Sequence, residues 1–158
     1  TVLCEKLPTV EDLPQLKYTN LIVQETLRLY PAAWTINREV VDEVEIGGHT
    51  YKPGETLMMS QYVMHRDPRY YEQAEEFIPE RFDSDLLKRN PAYAYFPFGG
   101  GPRVCIGNNF ALMEAALLLA TIAQRYRLRL AEPNQVVEPE PLVTLRPKNG
   151  LPMRLEKR

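Results

Sequence analysis

The sequence predicts an α+β chain: two helices of ten residues or more, separated and followed by short antiparallel strands. Three observations carry this. Between Thr19 and Tyr30 the apolar positions Leu21, Ile22, Val23, Leu27, Leu29 and Tyr30 cover most of a helical circumference. A second segment, from Asn108 to about Gln124, is apolar apart from Glu114 and Thr121. From Arg38 to Ser60, and again after Arg125, the apolar period changes from helical to two, around glycine-bearing turns.

Residues 1–18 are broken by Pro8 and Pro14 and read as a lead-in loop with short helical turns. Thr19 or Asn20 can cap the first helix, and Pro31 closes it, because its ring disfavours helix at the preceding residue. The all-round apolar surface predicts that this helix is largely buried. "VEI" and "HTY" flank Gly47-Gly48 as a hairpin, and Pro53-Gly54 makes a second turn before the strand "TLMMS". "QYVMHRDPRYYEQAEEFIPERF" reads as short helices in proline-interrupted coil, and residues 84–104 as mostly irregular. The longest helix follows, and then strands around "YRLRL", "PLVTL" and "LPMRLEK", with a Lys148-Asn149-Gly150 turn between the last two.

The 158 residues suffice for one ordinary domain, and 44% hydrophobic with 25% charged residues describes a globular chain rather than a disordered one. A net charge of −2 gives no electrostatic case for nucleic acid. Two cysteines, Cys4 and Cys105, make no disulfide framework, which with the composition points to a reducing, cytoplasmic setting. No apolar run reaches the roughly 18 residues of a membrane helix. The chain opens on Thr1 within a loop, and we expect it to be a piece of a longer protein.

The chemistry concentrates in "FPFGGGPRVCIG". A lone cysteine is by default a small buried hydrophobe. Cys105, however, precedes a helix whose free N–H groups and positive dipole end favour a thiolate. Gly99 to Gly101 let backbone approach something flat and large. With no second Cys or paired His nearby, an anionic sulfur suits one axial bond to iron better than zinc. The loop lacks the Lys-Ser/Thr end of a P-loop and does not match G-x-G-x-x-G, so a nucleotide phosphate is rejected. His65, beside Arg66 and Asp67, reads as structural, and His49 as solvent-facing.

This loop resembles the haem-binding loop of cytochromes P450, F-x-x-G-x-R-x-C-x-G, matched at Phe98, Gly101, Arg103, Cys105 and Gly107. The resemblance implies a mainly helical domain with small β-sheets, of which residues 1–158 form the C-terminal part. It implies haem b, Cys105 as proximal iron ligand, Phe98 packed beside the sulfur, and Arg103 paired with a haem propionate, a role that guanidinium geometry suits. Arg38, beside the first hairpin, would be a second propionate base. Glu25 and Arg28 of "QETLRLYP" match the family's E-x-x-R helix, and Arg81 of "IPERF" would complete a structural triad. Ala32, Ala33 and Trp34, with Val143 near the last turn, would face an apolar substrate.

The resemblance further implies O₂ as co-substrate and NAD(P)H as the electron source, through a ferredoxin or flavoprotein reductase. The distal helix with its acid–alcohol pair has no counterpart here, and no catalytic residue is assigned within the chain. The activity the resemblance implies is that of a haem-thiolate monooxygenase, inserting one atom of O₂ into an organic, apolar substrate. Two other readings stand beside it, a haem-binding remnant without turnover and a peroxide-using haem-thiolate enzyme. An apolar face left by missing parts of the fold is also expected.

Overall fold

The computed structural model describes residue 3 and residues 6–158; Cys4 lies outside them. A 3₁₀ turn over Val10–Gln15 feeds directly into helix α1, Lys17–Leu29. Thr19 and Asn20 therefore stand in the first turn of α1 rather than at its cap. Leu16 occupies the cap position without a side-chain hydrogen bond. Packing decides this start: Leu16 is buried with Leu3 and Ala120, so its apolar contacts outweigh the missing polar cap. Val23, Glu25, Arg28 and Leu29 of α1 are buried, while Tyr30, placed by periodicity in the core, is exposed beyond the last turn.

Strand β1, Ile36–Glu39, leaves the buried Pro31 and pairs antiparallel with β4, Thr56–Met59, which sets Arg38 opposite Leu57. The hairpin β2, Val44–Ile46, and β3, His49–Tyr51, lies between them in sequence. Gly47 and Gly48 turn it with φ of +60° and +81°, values that a two-residue hairpin of this hand requires. Ser60 caps the short helix α2, Gln61–Met64, accepting from the Val63 amide.

The irregular stretch that follows is held by its own core. Tyr71, Phe82 and Leu86 are buried together against Leu21 and Tyr95, and the 3₁₀ turn Pro79–Asp83 lies along α1. Helix α3, Leu86–Arg89, adds one turn.

Helix α4, Asn108–Arg125, packs on α1 and on the lead-in turn, yet only Ala116 and Ala120 are fully buried in it. A helix apolar all round is ordinarily a core helix. Here the described residues cover only its small-residue stripe. Strand β5, Tyr126–Leu130, follows α4 without a loop and pairs with β8, Met153–Lys157. Strands β6, Pro139–Pro141, and β7, Leu145–Pro147, form the last ladder.

The segment "PLVTL" is thus the turn of a hairpin, not a strand. Leu142 N bonds back to Glu140 O at 3.1 Å, while the Leu142 carbonyl and Leu145 amide are taken by Trp34 and Ala32. Hydrogen bonds to a distant loop replace those of a ladder. Among the described residues, no helix is long and apolar enough to cross a membrane.

Candidate functional site

The loop from Phe96 to Gly107 is folded by its own backbone. Gly99 N bonds to Phe96 O at 2.9 Å, Val104 N to Gly101 O at 3.1 Å, and Cys105 N to Phe98 O at 2.9 Å. Gly99 and Gly101 hold φ of +75° and +65°, where a side chain is strained. A Cβ on Gly100 would collide with the Tyr93 ring, and one on Gly107 would lie 3.8 Å from Cys105 Sγ. Cys105 is exposed, three residues before α4 begins, and so is not the small buried hydrophobe a lone cysteine usually is. Arg103 is exposed as well.

Behind this loop lies a cavity of about 490 Å³. Its wall gathers Leu27 of α1, Ala32 and Ala33, Ile36 and Arg38 of β1, Gln61 of α2, and Pro97, Phe98, Gly99, Arg103 and Cys105 of the loop. The lining is mostly apolar with two guanidiniums. Arg38 Nη1 donates to the carbonyl of its neighbour Asn37 at 2.8 Å. Among the described residues, neither Arg38 nor Arg103 is paired with a carboxylate. Gln61 is wholly buried, and neither its Nε2 nor its Oε1 has a hydrogen-bond partner.

A buried amide without partners is costly and marks a missing ligand or water. Thiol, two unpaired cations, an orphaned amide, positive-φ glycines and an apolar wall suit one kind of occupant. It is a flat apolar macrocycle with anionic arms and a metal that takes a single sulfur. Haem fits that description, and the residues present fit haem.

The site is tied to α1 by buried charge. Arg28 Nε and Nη2 grip Glu25 at 2.7 and 2.9 Å, both side chains fully buried. The remaining Arg28 N–H groups reach His65 O, Ala74 O and Glu76 O, so all five donors are used. Glu25 Oε1 also accepts from Ile78 N at 2.8 Å and from Arg81 Nε at 3.1 Å. Such saturation is what makes a buried ion pair tolerable. His65 then carries the connection onward, its Nε2 accepting from Phe96 N at 2.9 Å, at the root of the cysteine loop.

The comparisons agree with this geometry. The cytochrome P450 family model matches residues 1–153. The chain belongs to the cytochrome P450 family. It is similar to the putative cytochrome P450 132 of Mycobacterium tuberculosis, 42% identical over 95% of this chain and 32% of that protein. To human cytochrome P450 4V2 it is 38% identical, over 95% of this chain and 29% of that protein. The solved structure of cyanobacterial CYP120A1 with retinoic acid bound superimposes with a TM-score of 0.89 at 32% identity, covering 98% of this chain and 36% of that one. The chain thus spans about a third of the length of the curated P450s it matches.

Within this P450 chain, the cavity brings together Cys105, Phe98, Arg103, Arg38, Ala32 and Ala33. Gly101 and Gly107 shape the loop without lining the cavity. Trp34 and Val143, also expected beside a substrate, are not among the residues that line this cavity. Trp34 turns its indole N–H to the Leu142 carbonyl at 2.8 Å, and Val143 is 97% exposed at a hairpin tip. Sequence reading missed Gln61 altogether. Its only local signal was the preceding Ser60 cap; its burial depends on β1, α1 and the loop closing around it.

Proposed function

We propose that this chain is the haem-carrying part of a haem-thiolate monooxygenase, with residues 1–158 forming part of one P450 domain. Cys105 would be the iron's proximal ligand, held outward by the bond from its amide to Phe98 O and backed by Gly107. Arg38 and Arg103 would pair with the propionates, and Phe98 would shield the sulfur from water. Gly99 and Gly101 would keep the loop low enough for a flat ring to lie on it. Glu25, Arg28 and Arg81 hold the α1 side of the cavity at a fixed distance from the loop. The single observation that carries this reading is the convergence of a thiol and two carboxylate-free guanidiniums on one apolar cavity.

Bound haem would supply O₂ activation, with two electrons drawn from NAD(P)H through a ferredoxin or flavoprotein reductase. One oxygen atom enters the substrate and the other leaves as water. Leu27, Ala32, Ala33 and Ile36 favour an apolar substrate, and the retinoic acid of the cyanobacterial relative is of that kind. Proton delivery to O₂ is assigned to residues outside this sequence.

The test is the reduced, CO-bound spectrum of the haem-reconstituted chain. A red-shifted Soret band that disappears in Cys105→Ala is expected. Equal spectra from wild type and Cys105→Ala would overturn the assignment of the ligand.

A further inference from the structure

We infer that Gln61 is a third propionate contact, its Nε2 donating to a haem propionate beside Arg38. The inference rests on the haem reading above and adds a residue that the cysteine motif does not contain. Three observations on the cavity wall lead to it. First, Gln61 is fully buried, yet both its amide atoms lack partners. Burying an amide unpaired is costly, so a native chain supplies a partner. Second, the charged groups lining the same cavity are Arg38 and Arg103, with no acid among them. Such a field draws an anion, and an ionised carboxylate accepts several donors at once. Third, Gln61 is the first residue of α2, whose third amide, Val63 N, bonds back to Ser60 Oγ. Its backbone is thus fixed from two sides, since Tyr62 N also bonds to Trp34 O at 3.2 Å. An amide held on a rigid turn is oriented before the ligand arrives, which lowers the entropy lost on binding.

A water filling the space near Gln61 is the competing explanation, and a carboxylate on the substrate is another. The experiment separates them by haem release. Haem-loaded wild type, Gln61→Met and Gln61→Glu are mixed with excess apomyoglobin, and transfer is followed by absorbance. Met matches Gln in length without a donor, and release is expected to be about tenfold faster, as for a lost hydrogen bond to a charged group. The urea midpoint of the haem-free Met variant is expected to equal or exceed that of wild type, because two unsatisfied atoms are gone. In Gln61→Glu, release is expected to accelerate with rising pH as a second carboxylate ionises beside the propionate, a dependence wild type lacks.

Release within twofold of wild type in both variants overturns the inference and favours water. Unchanged release with weakened binding of a long-chain carboxylic acid, read from the Soret shift, assigns the amide to substrate and overturns it equally. If wild type takes up no haem, the haem reading falls and this inference with it. If wild type shows the thiolate spectrum and only the Gln61 arms fail, the haem reading stands alone.

Discussion

At the scale of single residues, His65 makes the sharpest statement about pH. It is fully buried, and burial pushes its pKa down to about 4, against a weaker upward pull from backbone at Arg28 and Leu27. Since Nε2 accepts the Phe96 amide, the ring is neutral with its proton on Nδ1. In the unfolded chain an ordinary histidine binds a proton below about pH 6.5. The folded chain refuses that proton until about pH 4, so the unfolded state gains protons first as pH falls. Stability from this residue is complete above the ordinary histidine pKa and declines through the interval down to the depressed one. The full loss is roughly 3 kcal/mol. Urea midpoints measured from about pH 7 to about pH 5 should fall steadily for wild type and less steeply for His65→Gln, which can still accept from Phe96. Parallel profiles for the two proteins would show that other groups set the acid sensitivity. That Cys105 and Arg103 share one loop at one cavity was legible from local spacing, because the whole motif lies within ten residues. The structural reading of His65 stands, but its bond to Phe96 and the burial of Gln61 were not legible, because each follows from packing between elements far apart in the chain.

At the scale of elements, the Glu25–Arg28–Arg81 cluster decides whether α1 and the segment from Ala74 to Arg81 act as one unit. Glu25 and Arg28 lie one helical turn apart, and such a pair on a surface contributes only a few tenths of a kcal/mol. Here both are buried, and Arg28 satisfies three carbonyls: His65 O at the end of α2, and Ala74 O and Glu76 O of the irregular segment, which has few ladder bonds of its own. Removing the carboxylate charge leaves two guanidiniums facing a neutral acceptor in a desolvated site. Glu25→Gln is therefore expected to destabilise the chain by about 3–5 kcal/mol. Arg81 is less deeply placed and contributes one contact to Glu25 beside three carbonyl bonds, so Arg81→Lys should cost clearly less. Chemical denaturation of both variants checks the order, and a larger loss for Arg81→Lys would contradict it. The pairing of Glu25 with Arg28 was readable as a helical spacing. That Ala74, Glu76 and His65 would supply the other acceptors was not, because those carbonyls belong to coil whose path no periodicity encodes.

At the scale of the molecule, the apolar face that the sequence reading expects is carried in large part by α4. Its composition is that of a core helix, and the periodicity gives no polar face to assign to solvent. The structure nonetheless leaves Phe110, Leu118 and Ile122 at 63%, 55% and 40% exposure, on one ridge with Glu114 at intervals of four. The buried stripe through Ala116 and Ala120 satisfies only the side toward α1 and the lead-in. Strands β5 and β8 add Leu128 and Leu155, also exposed, facing each other across their ladder. Apolar area of this kind gains about 25 cal/mol for each Å² covered, so two copies placed ridge to ridge gain without any new specific contact. The isolated chain is thus expected to self-associate as its concentration rises, visible as an increasing weight-average mass in sedimentation. Leu118→Glu with Ile122→Lys places opposite charges one turn apart on that ridge and leaves Ala116 and Ala120 in place. The double variant should sediment as a monomer with an unchanged far-ultraviolet circular dichroism spectrum. Wild type that stays monomeric over a wide concentration range would mean that the ridge is not the sticky surface. Association that survives the double substitution would move it to the β5–β8 ladder, where Leu155→Lys is the next test.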